Sequence, residues 1–273
     1  MCDDMKSVIE SLESCSELLF TWFDDNYMKA NSDKSHLLLS TDNVFQANIN
    51  NDLICNSNSE KLLGVTVDSK LKFDEHVNNL CDKASQKLSA LARVSHLMSR
   101  DQKRRIMKAF ITSQFGYCPL VWMFCSRSAN NRINRIHERA LRITYNDDKS
   151  SFVELLDKDN SVSIHHRNLQ VLCIEIYKIK HNLSSEILKE VFNIINPKYN
   201  LRKRTLFESR NIRTEQYGFH SLSYIGPKIW NDVPENIKSS ETLDVFKNSI
   251  KEWKPVSCPC RLCKEYIQNL GYL

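Results

Sequence analysis

The sequence predicts a mainly α-helical protein with a small β portion, of the α+β class, and three observations carry that prediction. Apolar residues recur at helical spacing over most of the chain after Phe73. Only 5 glycines and 6 prolines occur in 273 residues, too few for the many tight turns of a sandwich or barrel. The β-branched and alternating stretches fall between residues 37 and 73. With 41% apolar and 26% charged residues, the composition excludes disordered and collagen-like chains.

The elements follow in order. Val8, Ile9, Leu12, Leu18, Leu19, Trp22 and Phe23 predict an amphipathic helix over Val8 to Met28. Polar turn residues then lead into Leu37 to Leu39, a short buried strand. "VFQANINNDLI" alternates on both sides of Asn50-Asn51, and Asn tolerates positive φ, so a hairpin is expected there. "KLLGVTVDSKL" predicts a β segment in which Gly64 permits close backbone approach.

Behind Asp74 as N-cap, the stripe Val77, Leu80, Ala84, Leu88, Leu91 and Val94 predicts a long helix. "SRDQKRRIMKAFITSQFGY" repeats the formula behind Ser99. Further helices are expected at Asn130 to Tyr145, Ile164 to Lys180 and Ser184 to Ile195, and at the end of "GPKIWNDVPENIKSSETLDVFKNSIKEW". Between the last two, Pro197 to Thr214 carries six Lys/Arg and one Glu and predicts an extended basic connection.

Charge is strongly polarised. Residues 1 to 75 hold 6 Lys/Arg and 14 Asp/Glu, or 6 − 14 = −8. Arg100 to Arg142 hold 10 Lys/Arg and 2 acids, or 10 − 2 = +8. Such a local excess predicts contact with a polyanion, a solvated surface being the alternative. No run approaches the roughly 18 apolar residues that cross a bilayer, and no basic segment leads into an apolar signal core. The expectation is an intracellular protein, cytoplasmic or nuclear, without a membrane partner.

Arg132, Arg135, Arg139 and Arg142 are spaced 3, 4, 3 and share one helical face. Ile133, Ile136, Ala140 and Ile143 repeat that spacing one residue on, about 100° around the helix. One face can bury while its neighbour presents four guanidinium groups to phosphates, or to solvent and interhelical salt bridges. Lys103, Arg104, Arg105 and Lys108 extend the basic region on the preceding helix.

Seven of the ten cysteines, from Cys2 to Cys173, are scattered among apolar neighbours as small buried hydrophobes. Cys258, Cys260 and Cys263 in "CPCRLC" can ligate zinc as thiolates. A tetrahedral site needs a fourth ligand, and no His or Cys follows Cys263, so reduced thiols are the alternative. His165-His166 has no metal or nucleophile spacing and predicts capping or packing.

Three acidic pairs invite a nucleotidyl-transfer reading: Asp3-Asp4, Asp24-Asp25 and Asp147-Asp148. Two-metal sites draw carboxylates from separate elements, with one outside the pair. Asp3-Asp4 has no preceding strand, Asp24-Asp25 closes a helix, and Asp147-Asp148 lies in a loop, so all three are assigned to caps and loops.

Taken together, several phrases resemble the carboxy-terminal part of a reverse transcriptase from a non-LTR, LINE-type, jockey-like retrotransposon. They are "WFDDNYMKANSDKSHLLLS", "SEKLLGVTVDSKLKFDEHVNNLCDKASQKLSALARVSHLMS", "MKAFITSQFGYCPLVWMFCSRSANNRINRIHERALRITYNDDKSSFVELL" and "SVSIHHRNLQVLCIEIYKIKHNLS", with "GPKIWNDVPENIK" and "CPCRLCKEYIQNLGY" toward the end. The likeness covers nearly the whole chain.

It implies the remnant of a right-hand polymerase palm at 1–73, with a primer-grip-like segment at Leu63, Gly64 and Val65. A helical thumb-like domain at 74–150, a helical connector at 151–254 and a Cys-rich tail at 255–273 follow. A thumb tracks the template-primer backbone, a use suited to an arginine stripe that reads phosphates and not bases. The implied partner is RNA or an RNA/DNA template-primer.

In the family, catalytic aspartates lie in a Tyr/Phe-Ala-Asp-Asp hairpin upstream of the palm helix. "MCDD" lacks the aromatic residue, the alanine and the first strand, so no residue here receives a catalytic role and no catalytic magnesium site is expected. The expectation is a fragment of an RNA-directed DNA polymerase that binds nucleic-acid backbone without polymerising alone. Activity would need missing upstream sequence. The alternative is an inert or co-opted interaction protein, whose exposed palm edge a protein partner would cover.

Overall fold

A computed structural model describes residues 2–31, 34–41, 43–50, 52–192, 207 and 212–254. The protein is mainly helical with a small sheet portion, as expected. It divides into two compact units between His76 and Val77.

In the first unit, α1 spans Cys2–Asp25. Met5 and Ile9 pack onto a small core of Leu37, Leu39 and Ala47, and the Glu13 carboxylate accepts a hydrogen bond from the Asn48 amide at 2.6 Å. Asp3 and Asp4 lie in the first turn of α1 and Asp24 and Asp25 in its last, none of them in the turn of a strand hairpin. The strands β1 (Leu37–Leu38), β2 (Gln46–Ile49) and β3 (Asp52–Ser57) form a sheet of order β1-β3-β2, with Ala47 opposite Ile54. The expected hairpin is present, and Asn50 takes φ 53° at its turn.

β4 (Ser59–Leu62) and β5 (Val65–Asp68) form a second, two-stranded hairpin. Here the sequence reading needs correcting, because Leu63 and Gly64 are the turn and not part of a strand. Their φ values, 48° and 89°, are both positive, as in the tight hairpin turns whose twist matches the flanking strands. Beyond β5 the Asp68 carboxylate accepts from the amides of Lys70, Lys72 and Phe73, holding a turn in which Leu71 and Phe73 also have positive φ. That turn starts α2 (Asp74–Val94), in which Asp74 is the first helical residue rather than its cap.

In the second unit, Ser99 and Gln102 form a reciprocal capping box at α3 (Arg100–Ile106). The expected continuous helix does not persist: it widens over Met107–Ile111 and tightens over Thr112–Gly116. The Thr112 and Ser113 hydroxyls bond back to the Lys108 and Ala109 carbonyls, a competition that bends helices. A short α4 (Pro119–Trp122) follows, with Pro in the first turn where its missing N–H is not needed.

Helices α5 (Arg127–Tyr145), α6 (Phe152–Lys158) and α7 (Ile164–Lys180) come next, then α8 (Glu186–Val191), α9 (Leu222–Asp232), α10 (Glu235–Lys238) and α11 (Leu243–Glu252). The central helix is α7, buried on most sides by α9 and α11. Tyr177 stacks on Phe246 with ring centroids 4.3 Å apart, and its hydroxyl donates to the Ser240 carbonyl at 2.7 Å. Gly226 of α9 lets Phe192 close in, since a Cβ there would lie 2.5 Å from the ring. Helix α5 packs on both α6 and α7 within the second unit.

Among the described cysteines outside the tail, Cys81, Cys125 and Cys173 are buried as expected, and burial pushes the Cys81 thiol up to about 11. Cys15, Cys55 and Cys118 are exposed, contrary to the expectation. The tail 255–273, with Cys258, Cys260 and Cys263, and most of the basic stretch 197–214 lie outside the described residues. Among the described residues, no helix is long and apolar enough to cross a membrane, and no cluster of metal-ligating side chains is found.

Candidate nucleic-acid interface

Ser126 starts α5 by accepting the Ala129 amide at 3.3 Å. The buried face holds Ile133, Ile136 and Ala140 as expected, together with His137, Leu141 and Thr144. Ile143 is only half buried, so the seam is centred about half a turn from the arginines.

The four arginines share a face but not a state. Arg135 and Arg139 are exposed and have no hydrogen-bond or ion-pair partner among the described residues. Arg132 reaches α2, donating to Asn78 Oδ1 at 2.9 Å and pairing with Asp82. Arg142 pairs with Glu138 at 2.6 Å, one turn back, and donates to the Asp147 carbonyl at 3.3 Å. Both pairs are solvent-accessible, so each is worth about 1 kcal/mol or less, and neither is beyond the reach of a competing phosphate.

The preceding basic cluster disperses. Lys103 is 3% exposed, and its ammonium donates to the Ile143 carbonyl and to Asn146 Oδ1 at 3.2 and 2.7 Å. Its burial against the C-terminus of α5 removes it from the expected phosphate-contacting set, because a cation there satisfies the orphan carbonyls of the last turn. Arg104 donates to Asp159 Oδ1 at 2.5 Å and to the Asp159 carbonyl at 2.6 Å, while Lys108 lies 3.8 Å from Asp159 Oδ2. Arg105 alone of the four is exposed and without a partner among the described residues.

Three groups elsewhere in the second unit gave no signal in the sequence. Asp159 is 1% exposed and also accepts from the Tyr145 hydroxyl at 3.0 Å, which makes it the node joining α3, α5 and the end of α6. Nothing in "DKDNS" distinguishes it from a turn aspartate. Buried His137 and solvent-exposed Arg167 are likewise single residues inside helical patterns. Asp147, in contrast, organises its loop as expected, accepting from the amides of Lys149 and Ser150, the Ser150 hydroxyl and Lys158. These bonds, Lys158 first, hold its carboxyl well below the usual carboxylate range. His165 is buried and packs edge-on to Phe124, the packing role expected of it.

The primer-grip-like residues lie at the tip of the second hairpin. Leu63 is 84% exposed there, Gly64 completes the turn, and Val65 turns inward. No family model, curated protein or solved structure matches the chain.

Proposed function

We propose that this chain binds the sugar-phosphate backbone of RNA or an RNA/DNA duplex through the outer face of α5, as the thumb-like part of a LINE-type reverse transcriptase, and does not polymerise by itself. The observation that carries the reading is the exposed, unpaired couple Arg135 and Arg139. They are four residues and about 6 Å apart along the helix, and like charges at that spacing destabilise it. A phosphate backbone relieves the repulsion without demanding base identity. Arg105 adds a third uncommitted guanidinium in the same unit.

The double variant Arg135→Gln/Arg139→Gln tests this by titration with an RNA/DNA duplex over a range of salt. Two lost phosphate contacts make the slope of log affinity against log salt shallower by about 2. Affinity at 0.1 M salt is expected to fall by at least about tenfold. Arg132→Gln/Arg142→Gln has a smaller effect, because those side chains give up internal partners on binding. An unchanged slope in the first variant would falsify the assignment. The zinc reading of Cys258, Cys260 and Cys263 rests on their spacing.

A second reading, an interaction protein, has its own observation. Val8, Leu18, Leu19 and Trp22 on α1 are all about half exposed or more, an apolar face that soluble monomers rarely leave open. A protein partner seated on that face gives complexes or self-association in sedimentation, which Leu18→Lys/Trp22→Lys abolishes. A wild-type chain that sediments as a monomer at high concentration counts against it.

A further inference from the structure

A cavity of about 480 Å³ lies in the second unit, bounded by Met107 and Lys108, by His137 of α5, by the turn 159–162 and by the inner ends of α7 and α11. His137 is 160–200° around α5 from Arg135 and Arg139, so this is not the arginine face. The volume falls within the range of small-molecule sites.

Three buried polar atoms at its edge have no hydrogen-bond partner among the described residues: His137 Nδ1, Asp159 Oδ2 and Ser161 Oγ. Native proteins pair nearly all such atoms, and finding three around one cavity marks it as built for polar contact. Arg167 lines the same space with no partner among the described residues. Lys108, Arg167, Lys251 and Lys254 against Asp159 and Glu252 give 4 − 2 = +2 in charge along the cavity lining. Ile164, Val171 and Ile174 supply an apolar wall.

We propose that this cavity binds a small organic anion, with a phosphate or carboxylate group on Arg167 and Lys108 and an apolar body against Ile164, Val171 and Ile174. Arginine's planar fork matches either oxyanion, and both are more easily stripped of water when two cations face them. Ser161 can donate to the same group. Asp159 Oδ2, which can only accept, selects a ligand carrying a hydroxyl or amine donor. The site is independent of the nucleic-acid reading, since it uses neither Arg135 nor Arg139.

Calorimetric titration of the full chain with phenyl phosphate, benzoate and phenol tests the site. One or both anions are expected to bind one to one and at least about tenfold more tightly than phenol. Which anion binds tighter identifies the headgroup. Arg167→Met weakens binding tenfold or more. Val171→Phe, which fills the cavity and leaves every charge in place, abolishes it, while Arg135→Gln/Arg139→Gln leaves it intact. On the unaltered chain, saturation moves the ¹⁵N resonance of His137, a readout that does not depend on any variant folding. Phenol binding as tightly as the anions, no saturable binding, a His137 resonance that does not move, or displacement of phenyl phosphate by an RNA oligonucleotide would each overturn the proposal.

Discussion

Replacing Asp159 with alanine is expected to destabilise the second unit by about 3 kcal/mol. The carboxylate is 1% exposed and receives Arg104 Nε at 2.5 Å and the Tyr145 hydroxyl at 3.0 Å. Removing one partner of a buried ion pair costs about 3–5 kcal/mol, because the remaining charge is left desolvated and unpaired. The Arg104 side chain keeps 38% of its surface in contact with solvent, which places the value at the low end. Asp159→Asn retains the shape and one acceptor, and about half the loss is expected. Urea unfolding followed by circular dichroism measures both. An alanine variant within about 0.5 kcal/mol of the wild type, the range of ordinary surface changes, would remove Asp159 from its structural role.

The same substitution bears on function. Arg104 is bonded to Asp159 and Lys108 lies 3.8 Å from it, so part of the expected basic cluster serves to hold α3 against the end of α6. Without the carboxylate these two cations become available to phosphate, and nucleic-acid affinity should rise while stability falls. Opposite signs in two measurements separate a structural node from a binding residue.

What was legible in the sequence was whatever has a period or a cap. The stripe of α2, the Ser99 cap of α3 and the limits of α7 follow from local spacing, and so does the Asn50 turn. The break of α3 after Ile106 was not legible, because hydroxyl back-bonding at Thr112 and Ser113 leaves no mark in the apolar pattern. Leu63-Gly64 was missed as a turn because leucine is a poor residue for positive φ, so the pair lacks the usual Asn-Gly signal.

At the arginine face, spacing placed all four side chains on one side of α5, with Glu138 one turn before Arg142, but could not show that Asp82 of α2 engages Arg132. Ion pairs 50 residues apart are a property of the packed chain. The same holds for Lys103, whose charge argues for the surface in any local reading. It is buried because the carbonyls that need it come from 40 residues away.

Stability is further expected to fall as pH drops from about 6.5 to about 4, through His137. Burial is the main cause of its lowered pKa, Arg167 and Lys108 add to it, Asp159 opposes it, and the result is about 4. In the unfolded chain an imidazole titrates near 6.5. Between those values the unfolded chain binds a proton that the folded chain does not, so stability rises with pH across this window. Above about 6.5 the ring is neutral in both states and the full stability is present. Below about 4 it is charged in both, and the accumulated loss is on the order of 3 kcal/mol. Asp147 acts in a separate window, since a carboxyl depressed by Lys158 and Ser150 loses its contribution only as pH falls below about 4. Urea midpoints at intervals from pH 7.5 to 4.5, for the wild type and for His137→Leu, isolate the term. The wild-type curve should fall more steeply with acid than the variant's, which keeps a residual slope because burial and Lys180 also lower the His181 pKa, and two parallel curves would assign the slope to other groups. An anion seated on Arg167 would offset one of the smaller causes of the lowered His137 pKa, so saturating phenyl phosphate should make the wild-type curve slightly shallower.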